Sequence, residues 1–298
     1  MTNIENILNY IIPKISEKQE LSRQILVRES VIDTYYAGTL NNLDKNQLDK
    51  CPSCKGTGIS IEEDIEKYIK QIDTIRPSSR VEIDQCHLKD KDLGRRVHLI
   101  LEKAKPESTK YGFVGDDDLA SILLAKVANP EEIVIVDIDK RLLNVIDAEL
   151  KNKPQIKYDL IESNITKLKY ERLKNHFETC EIVVTDPPYA DDGMLSFIYL
   201  GMALLKLGGK IFIAMPYLSN ERWTWDLMML VQKELIDNGM LIEELWPGFC
   251  TYETSDVISS FMVVKKMRNT DPHILLNKID HLTKARFYTK RTNVSNIE

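Results

Sequence analysis

The chain has 298 residues, of which 43% are hydrophobic and 29% charged, with a net charge of −6. This composition suits a soluble globular protein with one large domain and a small one, and its acidic balance argues against a dedicated nucleic-acid binder, which needs a basic surface. No apolar run reaches the length of a membrane span and the first residues lack a signal-peptide h-region, so a cytoplasmic protein acting without a membrane is expected. Five cysteines, an odd number, do not suggest a disulfide framework.

Residues 1–50 read as two or three short polar helices with no defensible chemistry. Cys51-Pro52-Ser53-Cys54-Lys55-Gly56-Thr57-Gly58 then forms a knuckle, two thiols on a tight turn spaced to share a tetrahedral metal such as zinc. A structural site needs four ligands; Cys86 and His87 are the nearest candidates to complete it, and dimerisation across a shared metal is another route. A homo-oligomer, a dimer, is expected. A turn with two thiols is the plainer reading.

A polar helix over 60–75 and a linker, Arg76-Pro77-Ser78-Ser79-Arg80, come next. Strands and helices then alternate. Strands are expected at Tyr111–Val114, Ile133–Val136, Ile156–Leu160, Ile182–Thr185, Lys210–Met215, Glu243–Trp246 and Ser260–Lys265, the last antiparallel. Helices are expected over Asp116–Ala128, Lys140–Leu150, Met194–Leu205 and Asp226–Asn238. The alternation implies a Rossmann-like α/β fold, a doubly wound and mostly parallel sheet. The expected domains are a helical region with the knuckle (1–80), the α/β domain (81–268) and a loosely packed polar tail (269–298).

Three places carry chemistry. The first strand ends in Gly115-Asp116-Asp117-Asp118-Leu119. Nucleotide-binding turns here are usually Gly-rich so that the backbone can approach the ligand. Carboxylates at a helix N-terminus complement its dipole and cap its amides, which explains one Asp or two. Three in a row repel one another, so at least one should face a cleft. Such a turn disfavours a phosphate or an amino-acid carboxylate and attracts amines. The second strand ends at Asp137, 22 residues beyond Gly115, close to the ~20 expected for an acid that accepts bonds from ribose hydroxyls. Asp139 is an alternative cap for the next helix, and Asn164, after the third strand, is placed to meet an adenine edge. The fourth strand runs into Asp186-Pro187-Pro188-Tyr189. Two prolines stop the ladder, and a carboxylate is presented at the strand's C-terminal end, where ligands bind in open α/β sheets. A strand-ending turn with an Asp cap is the plainer reading.

Taken in order, these motifs resemble the class I S-adenosylmethionine-dependent methyltransferase fold. Asp186-Pro187-Pro188-Tyr189 by itself resembles the signature of amino-methyltransferases. The Gly115–Leu119 turn, Val136-Asp137-Ile138-Asp139, Asp84-Gln85, Asp186-Pro187-Pro188 and the Cys51/Cys54 pair together resemble the branched-chain polyamine synthase family, over about residues 50–268. Residues 1–50 are shorter than the family's winged-helix domain, and Tyr189-Ala190-Asp191-Asp192-Gly193 departs from the family's residues after Asp-Pro-Pro.

The resemblance implies aminopropyl transfer from decarboxylated S-adenosylmethionine to the internal amine of spermidine. Gly115, Asp116, Asp117, Asp118, Asp137 and Asn164 would hold this donor, which has an ammonium and no carboxylate. Asp186 would align the attacking nitrogen and accept its proton. Pro187, Pro188 and Tyr189 would wall the acceptor, with a cation–π contact from the tyrosine, and Asp191 and Asp192 would hold a distal ammonium. Glu253 and Asp256 would serve the other end, or simply face solvent. Trp223 and Trp225 would roof the cleft or lie in the core. The alternative is an S-adenosylmethionine-dependent amino-methyltransferase acting on a nucleic-acid base or a protein amide, which the acidic turn and net charge fit poorly. A polyamine- or metal-sensing regulator ranks last, since it needs neither a nucleoside turn nor Asp-Pro-Pro-Tyr.

Overall fold

The computed structural model describes residues 63–104, 110–216, 222–253, 257–282 and 287–289. The chain divides into two compact units, 1–62 and 63–298, and everything below concerns the second. Cys51 and Cys54 lie outside the described residues, as do the short helices expected over 1–50.

The unit opens with two helices. In α1 (Glu63–Ile75), Ile65, Ile69 and Ile72 recur at helical spacing and are buried. A 3-10 turn (Val81–Ile83) leads to α2 (Asp90–Lys103), which buries Leu93, Val97 and Ile100 in the same way. The sequence reading had no element at α2. Arg96 shares its apolar face and breaks the amphipathic pattern.

The sheet then builds in βα steps: β1 (Lys110–Val114), α3 (Ala120–Val127), β2 (Glu132–Asp137), α4 (Lys140–Leu150), β3 (Lys157–Glu162), a short α5 (Tyr170–Leu173), β4 (Cys180–Thr185), α6 (Asp191–Leu204), β5 (Leu205–Pro216), α7 (Arg222–Asp237), β6 (Met240–Thr251), β7 (Ile258–Lys266) and α8 (Pro272–His281). The seven strands lie in the order β3-β2-β1-β4-β5-β7-β6. Only β7 runs against its neighbours, pairing antiparallel with β5 and β6. The expected Rossmann-like fold is observed. Strands β1, β2 and β4 read as near-continuous apolar runs because helices cover both faces of the sheet.

The strand order reverses between β1 and β4, so the C-terminal ends of these neighbours open the crevice where α/β sheets bind ligands. Thr185 Oγ1 donates to the Val114 carbonyl at 2.9 Å and pins the two strand ends together. The expected helix at 116–128 starts later, at Ala120, because Leu119 adopts a left-handed conformation (φ 57°). The three aspartates therefore form a turn before α3 instead of its first turn. Residues 269–298, expected as a loose tail, supply α8, capped by Asp271 and packed on α6, and a segment at Phe287–Thr289 that returns to the crevice. Trp223 and Trp225 are each 45% exposed, so neither is core.

Candidate active site

The crevice is a cleft partly open to solvent. Its lining mixes the apolar side chains of Ile83, Ile138, Phe197, Phe287 and Tyr288 with the carboxylates of Asp84, Asp116, Asp117, Asp137 and Asp186. A slot lined by both suits a nucleoside with a cationic tail.

The acidic turn explains its own shape. Gly115 takes φ +73°, which glycine adopts without strain, and a Cβ there would meet the Phe197 ring at 3.0 Å. From this pivot the three aspartates take separate tasks. Asp116 caps α3: its carboxylate accepts from the Ser121 amide at 3.3 Å and the Ser121 hydroxyl at 2.5 Å. Asp118 turns away from the crevice. It accepts from the Leu88 amide at 2.6 Å and pairs with Arg96 at 3.4 Å and Arg76 at 3.7 Å. Asp117 keeps its carboxylate in the crevice and accepts a single described hydrogen bond, from the Cys86 amide at 3.2 Å. The sequence reading gave all three one role. Burial, with Asp118, Asp186 and Asp137 nearby, pushes the Asp117 carboxyl well above the usual range. Asp117 is thus a carboxylate in need of a cation.

Asp137 is held on both oxygens, by the Asp116 amide at 2.9 Å and the Asp139 amide at 2.7 Å, and faces the crevice at the end of β2. Burial raises it to about 6. Asp139 caps α4 through the Arg141 amide and also accepts from Gln85 at 3.2 Å. Asn164 lines the crevice, with its Oδ1 taken by the Thr166 amide and hydroxyl.

Asp186 and Pro188 line the crevice as the strand-end reading expects. Asp186 carries partners that reading lacked. Arg96 Nη2 donates to its Oδ2 at 2.8 Å, and the Tyr252 hydroxyl lies 3.3 Å from Oδ1 and 3.2 Å from Oδ2. The Tyr189 hydroxyl meets that of Tyr252 at 3.0 Å. Tyr189 therefore braces Asp186 from behind and is absent from the crevice lining, as is the buried Pro187. Asp191 and Asp192 sit in the first turn of α6, where its dipole favours them, and neither lines the crevice. Glu253 pairs with Arg76 at 2.9 Å, and Asp256 lies outside the described residues. Neither tryptophan roofs the crevice; the described aromatic roof is Phe197, Phe287 and Tyr288. Cys86 and His87 lie beside the acidic turn, and burial beside Arg76 lowers His87 to about 4.

Sequence reasoning missed Arg76, Arg96, Tyr252 and the aromatic roof. One signal was present for Arg96: an arginine on the buried stripe of a helix implies an acidic partner, since arginine is almost never buried alone.

Residues 64–290 match the family described as the branched-chain polyamine synthase A C-terminal domain. The chain belongs to this family. It is 30% identical over 276 residues to an uncharacterised protein of Methanocaldococcus jannaschii, covering 85% of this chain and 68% of that protein. It is also 30% identical over 208 residues to the N(4)-bis(aminopropyl)spermidine synthase of the same organism, covering 68% of this chain and 57% of the synthase. The chain thus spans under three fifths of that curated synthase. The solved branched-chain polyamine synthase of Thermus thermophilus, in complex with N4-aminopropylspermidine and 5'-methylthioadenosine, superposes with a TM-score of 0.65 at 19% identity, over 82% of this chain and 73% of the other. A putative RNA methyltransferase of Pyrococcus horikoshii superposes at 0.53 with 11% identity, over 70% and 100%. Both agree with the fold; their low identity carries nothing further.

Proposed function

We propose that this branched-chain polyamine synthase family member transfers aminopropyl groups from decarboxylated S-adenosylmethionine to the internal secondary amine of a polyamine such as spermidine. Family membership supports the reading, and the single observation that carries it is the crevice at the β1/β4 switch point. Aromatic and aliphatic side chains line it together with Asp117, Asp137 and Asp186, and no basic side chain does so among the described residues. An intact amino-acid tail would bring a carboxylate against Asp117; the decarboxylated donor brings only an ammonium.

The adenosyl group packs on the apolar side chains of the lining, its ribose on Asp137, with Gly115 and Asn164 along its edge. The neutral amine approaches between Asp117 and Asp186. Its lone pair attacks the aminopropyl methylene bonded to the sulfonium sulfur, the C–S bond breaks with its electron pair going to sulfur, and neutral methylthioadenosine leaves. The new nitrogen is cationic; its proton passes to the Asp186 carboxylate and then to solvent. The rate gain comes from placing two cationic reactants in line inside an anionic site. Two separate proposals remain from the sequence: zinc at Cys51 and Cys54, tested by elemental analysis of the Cys51→Ser variant, and a homodimer, tested by light scattering.

Thermal shift with three ligands tests the binding half. Methylthioadenosine and the decarboxylated donor should both raise Tm, the donor more strongly; a larger shift with intact S-adenosylmethionine would favour the amino-methyltransferase reading.

A further inference from the structure

Arg96 has no task in the reaction as written above. Its side chain is 2% exposed, and α2 delivers it to the back of the acidic crevice. Nη2 donates to Asp186 Oδ2 at 2.8 Å, Nη1 lies 3.4 Å from Asp118 Oδ2, and the guanidinium stands 5.1 Å from the centroid of the Phe261 ring. Nε makes no hydrogen bond. Ion pairs buried this deeply often add nothing to stability over a well-packed apolar substitute. Stability alone therefore gives no reason for a guanidinium at this point. An arginine stays cationic at every working pH, and its two amino groups can hold two carboxylates at once, here Asp186 and Asp118.

We propose that Arg96 is the positioning residue for Asp186: its bond to Oδ2, beside the Tyr252 hydroxyl, holds the carboxylate in a fixed orientation toward the attacking amine. The proposal rests on the aminopropyl-transfer reading. Asp118 on the other side of the fork stops Arg96 from swinging away. Asp186 faces Asp117 and Asp118 from the acidic turn, Tyr189 beyond β4, and Cys250 and Tyr252 from the end of β6, with Arg76 behind Asp118. Of these, Asp117 and Asp118 are acidic, the phenols and the thiol are neutral at working pH, and Arg76 is spent on Asp118 and Glu253. Arg96 is the only cation among them that touches Asp186. Its field also opposes protonation of the incoming secondary amine, so it favours the free base that the reaction needs. The acceptor's remaining ammonium groups must then lie on the side away from α2.

The test compares the full chain with Arg96→Lys and Arg96→Gln, measuring kcat and KM from pH 6 to 10 with decarboxylated donor and spermidine, and methylthioadenosine affinity by calorimetry. In Arg96→Gln we expect methylthioadenosine affinity within about 3-fold of wild type, kcat down about 100-fold near neutrality, and the acid limb of the rate profile moved up by about one pH unit. In Arg96→Lys, which keeps the charge and loses the fork, the limb should stay in place while kcat falls about 10-fold. An unshifted limb in Arg96→Gln, or a loss confined to KM, overturns the proposal and makes Arg96 a packing residue. If Arg96→Gln does not melt cooperatively, Arg96→Lys decides: wild-type kcat there overturns the positioning role. A wild-type protein that binds methylthioadenosine yet makes no aminopropyl product overturns the transfer reading itself, which is a distinct outcome.

Discussion

Replacing Asp117 by Asn should separate the decarboxylated donor from intact S-adenosylmethionine. Asp117 is the turn's one carboxylate that both faces the crevice and lacks a cationic or hydroxyl partner, its single described bond coming from the Cys86 amide. Asn keeps its size and removes its charge. An ammonium about 4 Å from a carboxylate gains about 4 kcal/mol at an effective dielectric of 20. Removing one member of such a buried charged pair typically costs 2–5 kcal/mol. A loss of about 3 kcal/mol is therefore expected for the decarboxylated donor, or roughly 150-fold in Kd. The intact cofactor carries a carboxylate beside its ammonium, so its attraction and repulsion largely cancel, and its Kd should change less than about 5-fold. Methylthioadenosine, which has no charged tail, should be unaffected. Calorimetry with the three ligands reads all of this directly. Equal losses for all three would refute the reasoning and leave Asp117 a structural member of the turn. Asp116 is the wrong residue for this experiment, because its carboxylate is committed to Ser121 and its loss would disturb the start of α3.

Asp186→Asn should keep methylthioadenosine binding and lose turnover by about 10²- to 10⁴-fold, the usual worth of a general base; a variant near wild-type activity would remove the catalytic assignment. Asp137 predicts a pH effect on the ligand-free protein. Burial holds its folded carboxyl at about 6, above its ordinary value of 3.8. The unfolded chain therefore releases this proton first, so the stabilising contribution is complete below pH 4 and fades through pH 6, by about 3 kcal/mol. Urea midpoints of wild type minus Asp137→Asn should show that slope between pH 4 and 6, and parallel curves would contradict it. Gly193→Ala probes the roof: a Cβ there would run into the Phe287 carbonyl, so the Phe287–Thr289 segment must shift. Methylthioadenosine affinity should fall about 10-fold, as expected when well-packed contacts loosen, and unchanged binding by calorimetry would show that the roof is not needed.

The sheet was legible because β1, β2 and β4 are short apolar runs closed by Gly or Asp, and such runs alternating with helices admit few topologies. Strand ends then fixed the crevice: Gly115, Asp137 and Asp186 all mark C-terminal ends of parallel strands, and all three line it. What stayed hidden depends on long-range packing. Neighbouring aspartates in sequence do not announce that one caps Ser121, one meets two arginines and one stays open. Arg76, just after α1, and Arg96, on α2, reach the site from segments that precede the first strand. Tyr252 arrives from the far edge of the sheet because β6 is irregular between Trp246 and Cys250 and continues to a bridge with Leu88. Phe287 and Tyr288 sit in a stretch whose polarity reads as tail, and only the fold shows them on Ile83 beside the crevice.

The central claim is the chemistry transferred, and mass spectrometry of spermidine incubated with the protein and either decarboxylated or intact S-adenosylmethionine tests it most directly. The account predicts a product heavier by one or two aminopropyl units, with methylthioadenosine released, and only with the decarboxylated donor. A methylated product, or ligand-dependent chemistry seen only with intact S-adenosylmethionine, would contradict it.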